Sequence, residues 1–242
     1  MSRAVNGIKR RVQTFRNRGH DVLCPVCGRQ FARFKDDWNR ANALCWRCGS
    51  HERHRAQWLL FERRPELLAD ARSLLHFAPE WALRQRLQRL SHLDYVTADL
   101  DQPGVDLHVD LTALELPDGS FDAVICSHVL EHVADDAAAM LELRRITVPG
   151  GWCLVMVPLD LGRALTYEDP SITQPVERER VFWQHDHVRL YAPDVGERLA
   201  AAGFDVEHIR PREEFGQSLV ERCRILDADQ IFLCSPAPST SR

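Results

Sequence analysis

From residue 73 onward the chain breaks into strand-length runs separated by stretches of helical period. Residues 73–78, 94–99, 106–110, 121–126 and 151–157 are rich in apolar and β-branched side chains and read as strands. The second and third end on acids, Asp99 and Asp110. Leu83, Leu87 and Leu90 recur at helical spacing between the first two runs, with Arg84, Arg86 and Arg89 between them. Ala139, Leu143 and Ile146 mark a second helix, which Pro149-Gly150-Gly151 ends. Strands alternating with helices predict an α/β unit whose parallel sheet is covered on both faces. Ligands then gather at the C-terminal ends of the strands, which here carry 78–80, Asp99, Asp110 and 127–132.

The first 64 residues follow neither pattern, and their charge differs too. They hold 15 Lys and Arg against five Asp and Glu, a surplus of ten, while the rest of the chain holds 16 against 30. The overall net charge of −4 is therefore the average of a basic head and an acidic body. The 242 residues suit one domain with an appendage, or two small domains, at about 150 residues per domain. With 45% apolar and 27% charged residues, a disordered tail protein, a fibrous repeat and a disulfide miniprotein are excluded. The longest apolar run, 152–159, is far short of the ~20 residues that span a bilayer, and the N-terminus has no apolar signal core. The expectation is a soluble cytoplasmic protein with no membrane partner.

Four of the eight cysteines lie in the head, as Cys24-Pro-Val-Cys27-Gly28 and Cys45-Trp-Arg-Cys48-Gly49, with 17 residues between the pairs. Two residues between sulfurs let one tight turn offer both thiolates to one ion, and two such pairs match a closed, structural four-cysteine zinc site. The glycine after each pair permits a positive φ. Phe31, Phe34 and Trp38 are expected to form the mini-core of this segment. Ser50 reads as the N-cap of a docking helix whose His54, Trp58 and Phe61 share a face. His51 and His54 read as solvated or phosphate-facing. The basic stretch 9–18 reads as an arm or short helix that touches nucleic acid or lies on the acidic body. Cys126 and Cys153 fall in strand-like runs and read as buried thiols.

The segment Leu116-Pro117-Asp118-Gly119-Ser120-Phe121-Asp122-Ala123-Val124 is followed by His128-Val129-Leu130-Glu131-His132-Val133, then by Glu142-Leu143-Arg144-Arg145 and Pro149-Gly150-Gly151. In this order and spacing they resemble class I S-adenosylmethionine-dependent methyltransferases of the small Rossmann-like kind. C-terminally, Val195, Leu199 and Ala202 line one helix face, Gly203 stops the helix, and Phe204-Asp205-Val206 starts a strand. Residues 230–234 would be the last strand. The resemblance covers roughly 73–235. It implies a Rossmann-like, seven-stranded, mostly parallel sheet behind a small N-terminal zinc ribbon. The expected division is 1–64 for arm, ribbon and docking helix, 65–235 for the methyltransferase domain with an acceptor lid at about 159–190, and 236–242 for a flexible tail.

The resemblance also implies roles. Asp99, with Leu100 beside it, would accept the ribose hydroxyls of S-adenosylmethionine; a turn or N-cap role and the neighbouring Asp101 are the rival readings. Asp110 would take the adenine amine and the Leu111 N–H a ring nitrogen. Ser127 and His128 would lie beside the sulfonium. One departure stands out: the turn after the first strand, His76-Phe77-Ala78-Pro79-Glu80-Trp81-Ala82, lacks the family's glycines. Ala78 allows close approach there, and Glu80 could accept from the cofactor's ammonium. Glu131 and His132 could form one wall of the acceptor site; Glu131 reads as a cap or brace for the cofactor loop, and a second cation there is the rival reading, for which the sequence shows no complementary ligand. In the lid, His185 and His187 flank Asp186, and His187 or His185 could take the acceptor's proton.

The reading is a methyltransferase acting on an O or N nucleophile of a small-molecule or glycan-type acceptor. Two alternatives stay open. One is RNA, held by the basic head. The other is a non-catalytic zinc-ribbon adaptor carrying a degenerate Rossmann unit, kept alive by the glycine-free turn. A nicotinamide dehydrogenase is disfavoured by the lack of a GxGxxG.

Overall fold

In the computed structural model, residues 12–38 and 40–238 are described. They divide into two compact units. The first comprises the chain up to Pro65, together with Glu80–Leu90 and Arg210–Asp229. The second comprises Glu66–Pro79, Ser91–Ile209 and the chain from Gln230 onward. The sequence draws one boundary near residue 65, whereas the chain returns to the first unit twice. Among the described residues, no helix is long and apolar enough to cross a membrane.

In the first unit, β1 (Val22–Cys24) pairs antiparallel with β2 (Arg29–Phe31), and β3 (Lys35–Asp37) with β4 (Arg40–Leu44). The β1–β2 hairpin closes the first cysteine pair, setting Cys24 opposite Arg29. Phe31 and Phe34 are fully buried with ring centroids 5.9 Å apart. Trp38, expected beside them, is instead 95% exposed. It sits where β3 turns into β4, with a left-handed φ of 51° that takes it out of the strand register. Arg55 fills the space, its guanidinium 4.4 Å above the Phe34 ring.

Helix α1 (Glu52–Arg63) buries Ala56, Leu59, Leu60 and Phe61 along with His54, Trp58 and Arg55. Its N-cap is His51 rather than Ser50. The His51 N–H donates to His54 Nδ1 at 3.1 Å, while Ser50 is buried with its Oγ 3.1 Å from Cys24 Sγ. His54 is thus a buried capping residue and not a solvated one. Arg55 donates to the carbonyls of Ala43, Ser50, Cys223 and Arg224, tying together three stretches of chain. Such a buried cation is tolerated because its donors are spent on carbonyls. Helices α3 (Trp81–Leu87), α7 (Pro211–Phe215) and α8 (Gln217–Cys223) complete the unit. Of the basic stretch 9–18, the first three residues lie outside the described residues, and 12–16 are helical.

The second unit is a seven-stranded sheet in the order β12 (Phe204–Ile209), β13 (Ile231–Pro236), β9 (Thr147–Met156), β8 (Phe121–Ser127), β5 (Ser73–Phe77), β6 (Asp94–Asp99), β7 (Leu107–His108). The pairings among β5, β6, β7, β8 and β9 are parallel, and β13 is antiparallel to both of its neighbours. This is the Rossmann-like, mostly parallel sheet expected from the sequence. The central strands are buried on both faces, with Leu74, Leu75, Val124, Ile125, Cys126, Cys153 and Leu154 all at 0% exposure. Helices α2 (Glu66–Ala69), α4 (Asp136–Ile146), α5 (Pro175–Phe182) and α6 (Val195–Ala201) belong to this unit.

Three boundaries differ from the sequence reading, each for a local reason. Strand β7 has two residues instead of five: the acid before it is tied to β6 by its side chain, and the acid after it closes a turn. Asp106 accepts from Thr97 N and Oγ1, and Asp110 from Thr112 N and Oγ1. Strand β9 begins at Thr147, before the glycines, pairing there with Phe121. Gly151 is required within it, since a Cβ would lie 2.5 Å from the Asp122 carbonyl oxygen. Strand β13 runs to Pro236 and Ala237 still donates to Gly203 O at 3.0 Å, so the ordered chain includes the first residues of the expected tail. Residues 239–242 lie outside the described residues.

Candidate functional site

In the first unit the four head cysteines converge. The Sγ atoms of Cys24, Cys27, Cys45 and Cys48 all lie within 4.8 Å of one another, and all four thiols are free of disulfides. Cys24 and Cys48 are 3.6 Å apart and Cys27 and Cys45 3.7 Å. A tetrahedron with zinc–sulfur bonds of about 2.3 Å has edges of ~3.8 Å, so the sulfurs fit zinc as they stand. Gly28 and Gly49 adopt φ of 67° and 71°, as the turn after each pair requires. Their N–H groups close the turns onto Pro25 O and Cys45 O. Burial pushes the Cys24 thiol pKa up, so thiolates there call for a compensating cation.

In the second unit the chain runs β5, β6, β7 to one side and returns through β8 and β9 on the other. The crevice at this reversal is where open α/β sheets bind ligands. A cavity of about 630 Å³ lies there. Its wall is built from residues at four successive strand ends: Phe77 and Ala78, 99–101, 109–112, and His128 with Val129. A volume of this size is typical of small-molecule sites.

Two carboxylates on this wall have the same half-used arrangement. Asp99 Oδ1 accepts from the N–H groups of Asp101 and Gln102, at 2.9 and 2.8 Å. Asp110 Oδ1 accepts from Thr112 N and Oγ1, at 2.8 and 2.7 Å, and these bonds hold its pKa below the usual carboxylate range. Among the described residues neither Oδ2 makes a hydrogen bond. Each acid therefore shapes its turn with one oxygen and offers the other, so the turn and ligand readings of Asp99 are compatible. Leu100, Leu111 and Asp101 also line the cavity. Ala78 takes the glycine's place with a φ of 45° and donates to Ala98 O at 2.8 Å. His128 is likewise left-handed, at φ 56°. A non-glycine residue in that region costs roughly 1–2 kcal/mol, and strain of this kind concentrates at functional sites.

Two expected cofactor residues do not line this cavity. Glu80 caps α3 in the first unit, where Oε1 accepts from His54 Nε2 at 3.0 Å and faces Arg53 Nε at 3.3 Å. Ser127 is buried at the end of β8, one residue before the wall.

Sharing His132 with the wall is a cluster that the sequence did not assemble. Glu131 and His132 occupy a short 3₁₀ turn, Leu130–His132, and His187 arrives from the 159–190 insert. Their candidate ligand atoms lie within 4.8 Å of one another. His132 is on the cavity wall with Asp186, and its Nδ1 is 3.3 Å from Asp186 Oδ2. Glu131 is 1% exposed, and its Oε1 is 3.3 Å from His128 Nδ1. His187 is buried, with Nδ1 2.8 Å from Phe182 O; a carbonyl only accepts, so Nδ1 carries the hydrogen and Nε2 the lone pair. Burial pushes its pKa down, although Glu131 opposes this, which keeps the ring neutral near pH 7. His185 is exposed and stands apart from the cluster.

The insert is anchored where it counts. Strands β10 (Tyr167–Glu168) and β11 (Arg189–Leu190) pair antiparallel over a small core of Ile172, Phe182 and Leu190. Buried Arg189 donates to the carbonyls of Leu130, Val133 and Ala134 at and just after the 3₁₀ turn, and also faces Asp136 and Glu168. Val188 N donates to Glu131 O at 2.9 Å. The signals for this were an arginine two residues after His187 and the adjacent Glu131 and His132, but nothing in their spacing joins them.

The first unit has a groove of its own, about 220 Å³, beside Cys27 and Cys48. Arg29, Arg47, Arg86 and Arg89 line it together with Trp81, which is 57% exposed. Among the described residues the guanidinium groups of Arg29, Arg47 and Arg89 have no ion pair.

Comparison with known proteins agrees with the second unit's architecture. Residues 78–155 match the family profile described as a methyltransferase domain. A "Probable S-adenosylmethionine-dependent methyltransferase" of Mycolicibacterium smegmatis is 35% identical over 127 residues, 50% of this chain and 45% of that protein. An "Uncharacterized methyltransferase" of Mycobacterium bovis is 34% identical over 88 residues, 31% of this chain and 44% of that one. The chain thus spans under half the length of these two relatives. The crystal structure of a SAM-dependent methyltransferase from Archaeoglobus fulgidus superposes with a TM-score of 0.51 at 13% identity, covering 76% of this chain and 95% of that one, a likeness of fold.

Proposed function

We propose that this chain is an S-adenosylmethionine-dependent methyltransferase whose N-terminal unit is stapled by one structural zinc ion on Cys24, Cys27, Cys45 and Cys48. The observation that carries the enzymatic reading is the pair of half-used carboxylates, Asp99 and Asp110, on a cavity at the sheet's reversal point. The free oxygen of Asp99 would accept from the ribose hydroxyls, and that of Asp110 from the adenine amine, with the Leu111 N–H meeting a ring nitrogen. The left-handed Ala78 would bring bare backbone to the amino-acid end, and Ser127 and His128 would lie near the reactive centre. When bound, the cofactor supplies a methyl group on a sulfonium, displaced in line by a nucleophile. The residues of this chain align the partners, exclude water and hold the acceptor's proton. The histidines His128, His132 and His187 on Glu131 are suited to that last task, and exposed His185 less so.

The acceptor would be a small molecule or glycan-type compound, in keeping with a cavity of small-molecule size. The first-unit groove favours a second reading, with RNA as acceptor. Unpaired arginines beside an exposed tryptophan are what phosphates and a stacked base require. That reading predicts salt-sensitive RNA binding that is weakened by Arg47→Glu and Arg89→Glu; unchanged binding in the double variant would remove it.

The cofactor reading is tested by ultraviolet cross-linking of methyl-labelled S-adenosylmethionine to the full chain. Label is expected in peptides covering 94–112 and 121–134. Label confined to other peptides would contradict the site.

A further inference from the structure

We infer that Glu131, His132 and His187 form a second metal site, separate from the four cysteines, which holds a divalent first-row cation through one carboxylate oxygen and two imidazole nitrogens at the edge of the strand-end cavity. In the sequence, Glu131 and His132 lack a third ligand. The insert supplies it, bringing all three ligand atoms within 4.8 Å of one another.

Two features of the cluster point to a cation rather than to a packed histidine pair. First, each imidazole is already oriented from its far side. His187 Nδ1 is spent on Phe182 O at 2.8 Å, and His132 Nδ1 faces Asp186 Oδ2 at 3.3 Å. That leaves Nε2 as the nitrogen each ring would present to a metal, and outer partners of these two kinds, a backbone carbonyl and a carboxylate, are what fix metal-ligating histidines. Second, a fully buried carboxylate stands against two imidazoles, one of them itself buried. A divalent ion would offset the charge of such a carboxylate. Two histidines and one carboxylate leave several coordination positions open, the pattern of sites that bind substrate on the metal. His132 and Asp186 line the cavity, so the open side faces where an acceptor would stand.

The site's existence does not depend on the enzymatic reading, but its role does. Beside a bound methyl donor, such a cation selects an oxygen acceptor able to ligate it, such as a sugar diol or a phenol. With His132 and His187 engaged on the metal, the Asp186 carboxylate rather than either histidine would take the proton of a hydroxyl held there, as the oxygen bonds to the methyl carbon and the carbon–sulfur electron pair leaves on sulfur.

The test is titration of the purified full chain, its four-cysteine site loaded with zinc, with Co²⁺. One further equivalent is expected, with weak visible bands and no thiolate charge-transfer band. His187→Ala and Glu131→Gln should each weaken it at least about 100-fold, and Asp186→Asn, an outer-shell change, by about 10–100-fold. No further equivalent, cobalt entering only with a thiolate band, or variants that bind as wild type would each overturn the proposal. S-adenosylmethionine affinity measured on the same samples separates the two readings. Lost cobalt with retained cofactor binding refutes the metal site alone, and the reverse refutes the cofactor reading alone. Circular dichroism of each variant verifies its fold, and the wild-type cobalt spectrum decides the matter even where a variant does not fold.

Discussion

The four-sulfur site and the glutamate–histidine cluster are both convergent ligand sets, but they are built in opposite ways. In the first unit each pair of sulfurs comes from a single tight turn, closed by a glycine at positive φ and steadied by a short hairpin. In the second, Glu131 and His132 ride on a 3₁₀ turn whose carbonyls, with those just after it, accept from Arg189, two residues beyond the third member, His187. One site is local in sequence, each half of it set by a single turn. The other is a product of folding, assembled by a buried arginine on a sheet that stands without it. Damage should therefore show as lost structure in the first case and as lost binding in the second.

The largest expected effect is on the sulfur site. Structural zinc supplies on the order of 10–16 kcal/mol to domains of this kind, so Cys24→Ser should release the metal and abolish amide protection in β1–β4. Unchanged metal content and protection would break the comparison from its strong side. Next comes Arg189→Met, which strands the carbonyls of Val133 and Ala134 and removes one of the two arginines facing Asp136. A loss of about 2–4 kcal/mol in denaturant unfolding is expected, with cobalt binding lost alongside it. A change below about 1 kcal/mol would mean that the insert is not held by this residue. Asp99→Ala should weaken S-adenosylmethionine binding by about 10–100-fold, the worth of a hydrogen bond to a charged group. Asp99→Asn should do less harm, because it keeps the oxygen that accepts from Asp101 and Gln102.

A smaller effect concerns acid. Burial pushes His51 down to about 3 and lowers His54 as well, with neighbouring arginines adding to the shift in each. The unfolded chain takes up those protons first, near pH 6.5, so stability present above that value is lost as pH falls toward 3. Unfolding free energies of the first unit, measured with zinc retained, should decline across that window; a flat profile would contradict the assignment. The smallest effect is at Ala78. Glycine there removes the left-handed strain at some cost in unfolded-state entropy, for a net gain of about 1 kcal/mol in unfolding free energy. A loss of stability would mean that the methyl group packs usefully.

Much of this was legible in the sequence, and what was not has physical causes. Strands such as β6 and β8 could be read because apolar runs bounded by acids and turns have few alternatives, and the CxxC pairs because two thiols on one turn have few structural uses. Trp38 misled because hydrophobicity does not say which residue a hairpin places at its turn. Glu80 follows the first strand as a cofactor ligand would, yet its carboxylate is held by Arg53 and His54, partners from another part of the chain. His187 could be named but not located. Its partnership with Glu131 depends on where the insert lands, which no periodicity encodes.

The central claim is that the half-used carboxylates at the sheet's reversal point hold S-adenosylmethionine despite the glycine-free turn. Calorimetric titration of the full chain with the cofactor tests it most directly. The account predicts saturable binding of one equivalent, weakened in Asp99→Ala and again in Asp110→Ala. No heat of binding at millimolar cofactor, or both variants binding as wild type, would contradict it.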